Sequence, residues 1–152
     1  MTIERFAERL KELMQSEQIS RRALSVKTGL QRKSILNWLE GKYFPRYDAL
    51  IKLADFFNVS VDYLLGISEF NESKVVLSKC RLEDISLRFL EILCTFMKEK
   101  GYTKYRLAKS LCIGQTTLNR WFVLGSMPEM ATLIKISFLM NESVDYLLGR
   151  EY

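Results

Sequence analysis

The chain repeats itself at a constant offset of 83 positions. The run SVDYLLG occurs intact as Ser60–Gly66 and again as Ser143–Gly149. Identical residues also recur at this offset in Phe6 and Phe89, Leu10 and Leu93, Met14 and Met97, Leu24 and Leu107, Trp38 and Trp121, Pro45 and Pro128, Leu50 and Leu133, and Asn58 and Asn141. An offset held over most of each half means that one fold occurs twice without net insertion, so we predict two small domains.

The repeat also sets the predicted domain boundaries. The first domain covers residues 1–66 and the second, more divergent one covers residues 85–152, with residues 67–84 as a linker. The linker is polar and mixed in charge, apart from a short apolar patch at 75–77. We predict a linker with some local order, although the patch could equally be a contact strip laid against one domain.

Apolar spacing predicts five helices in each copy and an all-α fold. In the first copy, the predicted helices after the first are Arg21–Thr28, a short helix between Gly29 and Gly41, Asp48–Phe57 and Val61–Leu65. Ser20 and Ser60 are predicted N-caps in the first copy, and Thr103 is one in the second. Each copy is near the size at which a helical core is only marginally stable, so packing between the copies could matter.

The stretch Thr28–Arg46, TGLQRKSILNWLEGKYFPR, predicts a turn followed by a short helix. The apolar residues Ile35, Trp38 and Leu39 share one helix face, and Arg32, Lys33 and Asn37 lie on the opposite face. Gly29 can end the preceding helix in a left-handed conformation, and Gly41 can end this one before Pro45 blocks continuation. The outward residues are therefore predicted to be free for a partner.

Composition argues against several classes of function. The 152 residues include no histidine, and the sequence has no glycine-rich phosphate loop and no nucleophile beside a base. We therefore expect no enzymatic activity, no cofactor and no metal site. No run approaches the roughly 18 apolar residues of a membrane span, so we expect a soluble, cytoplasmic protein without a membrane partner. The net charge of +5 suits a polyanionic partner without requiring one.

The three cysteines, Cys80, Cys94 and Cys112, fit neither a paired disulfide framework nor a close-spaced zinc site. Their number and spacing indicate a reducing compartment. We predict inert buried thiols, with Cys80 in the linker as the exception.

The residue pattern resembles the Cro/phage-repressor helix-turn-helix family, also called the XRE family. The pattern consists of Ser20, Leu24, Gly29, Ile35, Trp38, Gly41, Pro45 and the SVDYLLG run. It covers residues 3–66 well and residues 86–149 less well. The resemblance implies two lambda-repressor-like domains, in each of which the third helix lies in the DNA major groove.

The resemblance also assigns DNA-binding residues in the first copy. Gln31, Arg32, Lys33 and Asn37 fall where the family reads bases. Arg21 falls where the family often has a glutamine that holds a phosphate and supports a base contact. Lys42, Tyr43 and Arg46 fall where the family contacts the DNA backbone, which places the protein but specifies no sequence.

The second copy keeps part of this set. Its candidate DNA-binding residues are Lys104, Gln115, Thr116, Asn119 and Arg120. Cys112 stands in place of Gly29, and the nearby glycine moves to Gly114, so a less regular turn is expected. Gly125 stands in place of Lys42, and Met127 and Glu129 flank Pro128, so weaker phosphate binding is expected.

Two functions follow as hypotheses. The leading one is a sequence-specific DNA-binding transcriptional regulator, a repressor by its resemblance, whose tandem domains imitate a dimer and read an asymmetric site on double-stranded DNA. In a variant of this hypothesis the second domain mediates homodimerisation. The alternative is a protein-interaction module, such as an antitoxin-like or anti-repressor partner, that keeps the fold without binding DNA.

Overall fold

The computed structural model describes residues 3–71, 77–78 and 81–151. The spatial contacts between residues divide the chain into two compact units, Met1–Ser78 and Lys79–Glu151. Most of the buried apolar residues of both units lie on the described helices, so the predicted all-α fold is confirmed.

The described part of the first unit contains five helices. Their bounds are α1 Ile3–Ser16, α2 Arg21–Thr28, α3 Arg32–Leu39, α4 Tyr47–Phe57 and α5 Val61–Leu64. The prediction for α2 is confirmed at both ends, while α4 begins one residue earlier than predicted and α5 ends one residue earlier. The two-residue strand β1, Leu77–Ser78, lies within the range predicted as linker.

The second unit repeats this order. A short 3-10 turn at Leu82–Asp84 leads into the helices α6 Ile85–Lys100, α7 Lys104–Leu111, α8 Gln115–Leu124, α9 Met130–Met140 and α10 Val144–Leu147, and into the strand β2, Arg150–Glu151. The bounds of α7, α9 and α10 are those of α2, α4 and α5 shifted by 83 positions. By contrast, α8 runs two residues beyond the position where α3 ends.

Side-chain caps explain why the helices begin where they do. The hydroxyl oxygens of Ser20 and Thr103 accept hydrogen bonds from the N–H groups of Ala23 and Arg106, both at 3.1 Å. The oxygen of Ser60 accepts the N–H of Tyr63 at 3.0 Å, and Ser143 does the same in the second unit. Each bond satisfies an N–H group that the first turn of a helix leaves without a partner. The three predicted N-caps are confirmed.

The two cores are formed by the apolar faces of these helices. In the first unit, Phe6, Leu10, Leu24, Ile35 and Leu50 have no accessible surface. In the second unit, the rings of Phe89 and Trp121 meet edge to face with centroids 6.1 Å apart. Both tryptophans are buried, as their helical spacing predicts.

The prediction of buried cysteines is wrong for the two that the structure describes. Cys94 and Cys112 are both exposed. Cys94 occupies the position of Lys11 on the solvent side of its helix, and Cys112 lies at a helix end. Cys80 and the apolar residues Val75 and Val76 lie outside the described residues.

Residues in the left-handed backbone conformation follow helices in both copies. The two copies, however, have glycine at different ones of these positions. Gly29 ends α2 with φ of 76°, and Cys112 ends α7 with φ of 56°. Gln18 and Gly101, which also correspond, have φ of 51° and 68°. The second turn thus keeps the backbone conformation of the first, which corrects the expectation of a less regular turn.

The exchange Cys112→Gly is expected to raise the free energy of unfolding of the second unit by about 0.5–1 kcal/mol, because glycine adopts positive φ without the steric cost that a Cβ brings. The reciprocal change Gly29→Cys is expected to lower that of the first unit by a similar amount. No atom lies within 4 Å of a Cβ built at Gly29, so backbone strain alone is tested. Denaturant unfolding of both variants measures the effect, and equal shifts of the same sign would contradict it.

Candidate nucleic-acid interface

Helices α2 and α3 are joined by a turn that side chains hold in place. The hydroxyl of Ser25 donates to the carbonyl of Leu30. The hydroxyl of Thr28 donates to the carbonyl of Leu24 at 2.6 Å and accepts the N–H of Leu30 at 3.3 Å. These bonds satisfy the backbone around Gly29 and fix the direction in which α3 leaves α2.

Helix α3 presents a buried face and an exposed face. Ile35 and Trp38 pack into the core, as predicted, whereas Leu39 is only partly buried. Gln31, Arg32 and Lys33 are exposed. The structure therefore leaves the predicted base-reading residues at the start of α3 accessible.

Four cations stand at helix starts, where they oppose the helix dipole. Arg21 and Arg22 open α2, and Arg32 and Lys33 open α3; neither helix has an acidic residue in its first turn. A cation at a helix N-terminus is unfavourable by about 0.3–1 kcal/mol, since the free N–H groups there carry partial positive charge. The arrangement disfavours the isolated protein and favours a bound anion such as phosphate. Arg22 was not among the predicted residues, although its place beside Arg21 could have suggested it.

Asn37 and Tyr43 are brought together by the fold. The side-chain amide of Asn37 donates to the hydroxyl of Tyr43 at 3.0 Å, and Asn37 is half-buried. The hydrogen bond between Asn37 and Tyr43 depends on how α3 ends. There the N–H of Gly41 donates to the carbonyl of Trp38, and the N–H of Lys42 donates to the carbonyl of Asn37. These two bonds and the positive φ of Gly41 form a Schellman motif that turns the chain back toward α3. Sequence spacing gave no sign of the Asn37–Tyr43 bond.

The remaining cations of the first unit lie after α3. Lys42 is exposed and pairs with Glu40 at 3.0 Å. Arg46 is exposed and precedes α4. An exposed ion pair of this kind is weak, so it leaves Lys42 free to exchange Glu40 for a phosphate oxygen.

The variant Lys42→Ala is expected to weaken binding to all DNA sequences alike and to reduce the slope of log affinity against log salt by about one unit, because one phosphate contact is lost. Fluorescence anisotropy across a salt series measures both quantities. Lys52→Ala, which removes an exposed cation from the middle of α4, is the control and should leave the slope unchanged. A change in sequence preference for Lys42→Ala would contradict the assigned role.

In the second unit, the corresponding residues are exposed but less basic. Gln115, Thr116, Asn119 and Arg120 lie on the exposed side of α8, and Lys104 opens α7. The ammonium of Lys104 lies 4.7 Å from the ring centroid of Phe122, which is a cation–π contact. The sequence analysis did not predict this contact.

The end of α8 is apolar and exposed. Val123 and Leu124 are 76% and 72% exposed at the positions of Glu40 and Gly41 in the first copy. Gly125 follows with φ of 67° and carries no side chain where Lys42 stands. The second unit therefore offers less charge to a phosphate backbone and more apolar surface to a protein.

Among the described residues, no three potential metal ligands are grouped together. Within the same ranges, every helix is too short or too polar to cross a membrane.

Comparison with known families and proteins agrees with the geometry. A helix-turn-helix domain family matches residues 7–66, and a second helix-turn-helix family matches residues 95–147. The chain is 39% identical over 54 residues to the HTH-type transcriptional regulator ImmR of Bacillus subtilis, covering 36% of this chain and 42% of that protein. It is 30% identical over 70 residues to the uncharacterized HTH-type transcriptional regulator YobD of the same organism, covering 46% and 62%.

The chain thus spans less than two thirds of the length of either relative. No solved structure matches it. The two family matches fall on α1 to α5 and on α6 to α10, which are the two units of the structure. The chain therefore carries two helix-turn-helix domains of the XRE type in tandem.

Proposed function

We propose that this protein is a sequence-specific DNA-binding transcriptional regulator that acts as a repressor, with α3 as the recognition helix of the first domain. The observation that carries this proposal is the exposed cationic start of α2 and α3, which opposes the dipoles of both helices. These cations lower the stability of the isolated domain, so their presence indicates an anionic partner. The printed names of both relatives, transcriptional regulators, agree with it.

Within this proposal the first-unit residues divide into two roles. Arg32 and Lys33 donate to guanine O6 and N7, and Gln31 and Asn37 contact neighbouring base edges. Arg21, Arg22, Lys42, Tyr43 and Arg46 contact the phosphate backbone and fix the register of α3. We place the domains at residues 1–66 and 85–152, and we place the protein in the cytoplasm, without enzymatic activity.

The second domain has two candidate roles. Gln115, Thr116, Asn119 and Arg120 would read a second, different half-site, with Lys104 on a phosphate, and the operator would then be asymmetric. The exposed Val123 and Leu124 favour homodimerisation instead, since exposed apolar side chains next to each other gain from being covered.

Selection of bound fragments from random double-stranded DNA tests the proposal and separates the two roles. An asymmetric motif of two unlike halves indicates reading by both domains. A palindromic motif, together with a dimer in sedimentation analysis, indicates reading by the first domain and dimerisation by the second. No enriched motif, combined with binding that does not weaken as salt is added, would overturn the proposal.

A further inference from the structure

A groove of about 390 Å³ lies in the second unit, between α6 and the segment that joins α9 to α10. It is lined by apolar and aromatic side chains interspersed with carboxylates. The lining residues that matter here are Ile92, Phe96, Tyr146, Glu91, Glu99 and Glu142. We call this feature the carboxylate groove.

The first copy shows what this position of the fold can hold. Arg9 occupies the position that Ile92 has in the second copy. Its guanidinium carbon lies 3.9 Å from the ring centroid of Tyr63, and its Nη1 donates to the carbonyl of Tyr63 at 2.8 Å. Arg9 also forms ion pairs with Glu12 at 3.6 Å and with Glu69 at 3.8 Å, and its side chain is only 12% exposed. We call Tyr63, Glu12 and Glu69 the cage around Arg9.

The second copy keeps the ring and loses this arginine. Tyr146 corresponds to Tyr63 and is 39% exposed. Arg88 approaches the same ring, with its guanidinium carbon 5.5 Å from the centroid, but it corresponds to Arg5 and does not line the groove. The second copy therefore has the uncharged Ile92 at the position of Arg9, and both Ile92 and Tyr146 line the groove.

Carboxylates remain around this place but stand at different positions, because Thr95 and Lys100 replace Glu12 and Glu17 of the first copy. Glu99 and Glu142 stand where the first copy has Ser16 and Val59. The described lining contains three glutamates and Lys100 as its one cation, a net charge of −2 on a chain of net charge +5. The groove is thus complementary in charge to a cation and opposite in sign to the protein as a whole.

We propose that the carboxylate groove binds an arginine side chain presented by a partner protein. The planar guanidinium stacks on Tyr146 as Arg9 does on Tyr63, and Glu99 and Glu142 accept its hydrogen bonds. Apolar residues next to the arginine pack against Ile92 and Phe96. The groove is built from α6, α9 and α10, so this partner is recognised without residues of the recognition helix α8 and does not depend on DNA binding.

The test uses the full chain without DNA and a blocked pentapeptide, serine-leucine-arginine-leucine-serine, as the probe. The matched control peptide has citrulline in place of arginine, which keeps the shape and removes the charge. Amide chemical shifts are expected to change at Thr95, Glu99 and Tyr146, and calorimetry is expected to give about tenfold weaker binding for the citrulline peptide. Equal affinities for the two peptides, or no binding at millimolar concentration, would overturn the proposal.

The variant Ile92→Arg restores the residue of the first copy and is expected to abolish peptide binding, because its own guanidinium covers Tyr146. Glu99→Gln, which changes an exposed residue, is expected to weaken binding several-fold without affecting folding, and it decides the question if Ile92→Arg does not fold. Lys135→Ala on α9 is the control and should bind as the parent does. Unchanged binding in both groove variants contradicts the proposal, and so does the same shift pattern produced by concentrating the protein alone, which would identify a second copy as the occupant.

Discussion

The variant Arg150→Met is expected to lower the free energy of unfolding of the second unit by about 3–5 kcal/mol, since it removes a cation that is paired with a buried carboxylate. Arg150 Nη1 lies 3.1 Å from Asp145 Oδ1, and both side chains have 0% of their surface exposed. A charge transferred from water to such a site is strongly unfavourable unless it is paired. Denaturant unfolding followed by circular dichroism measures the loss.

Two controls separate the burial of charge from other effects of the substitution. The double variant Asp145→Asn with Arg150→Met is expected to recover much of the lost stability, because neither buried group is then charged. Glu83→Gln breaks an exposed pair with Arg81, at 3.5 Å, and is expected to change stability by less than about 1 kcal/mol. A double variant no more stable than Arg150→Met would show that the carboxylate alone is not the cause.

The variant Arg32→Ala is expected to lower affinity for the selected operator by about 1–3 kcal/mol while leaving affinity for unrelated DNA nearly unchanged, because a base contact supplies discrimination. Competition binding with operator and random duplexes measures the ratio. Lys52→Ala serves again as the control. An equal loss on both duplexes would move Arg32 from base reading to phosphate binding.

Much of the fold was predictable because its signals are local. The caps at Ser20, Ser60 and Thr103 and the apolar spacing of α2 and α4 each involve residues within one or two turns of each other. The boundaries of α2, α4 and α5 recur 83 positions later in the second copy. Local signals of this kind can be recognised in a sequence without knowledge of the tertiary structure.

The contacts that depend on distant residues were not predictable in the same way. The cage around Arg9 joins α1 to Tyr63 and Glu69, which are more than 50 positions away in the sequence. The sequence shows Arg150 where the first copy has Ile67, but it gave no sign that Arg150 forms a buried ion pair with Asp145. The exposure of Cys94 was missed because cysteine was treated as an apolar residue without regard to the helix face that it occupies.

The missing acidic residues at the starts of α2 and α3 have a consequence for the heat tolerance of the protein. Under the proposed function, a DNA phosphate set against the N–H groups of α2 would supply the negative charge that an aspartate or glutamate supplies in most helices. The duplex would then act as a stabilising ligand of the first domain, and its melting temperature is expected to rise with DNA concentration by mass action. Under the proposed function, DNA binding and the folding of this domain are thermodynamically coupled.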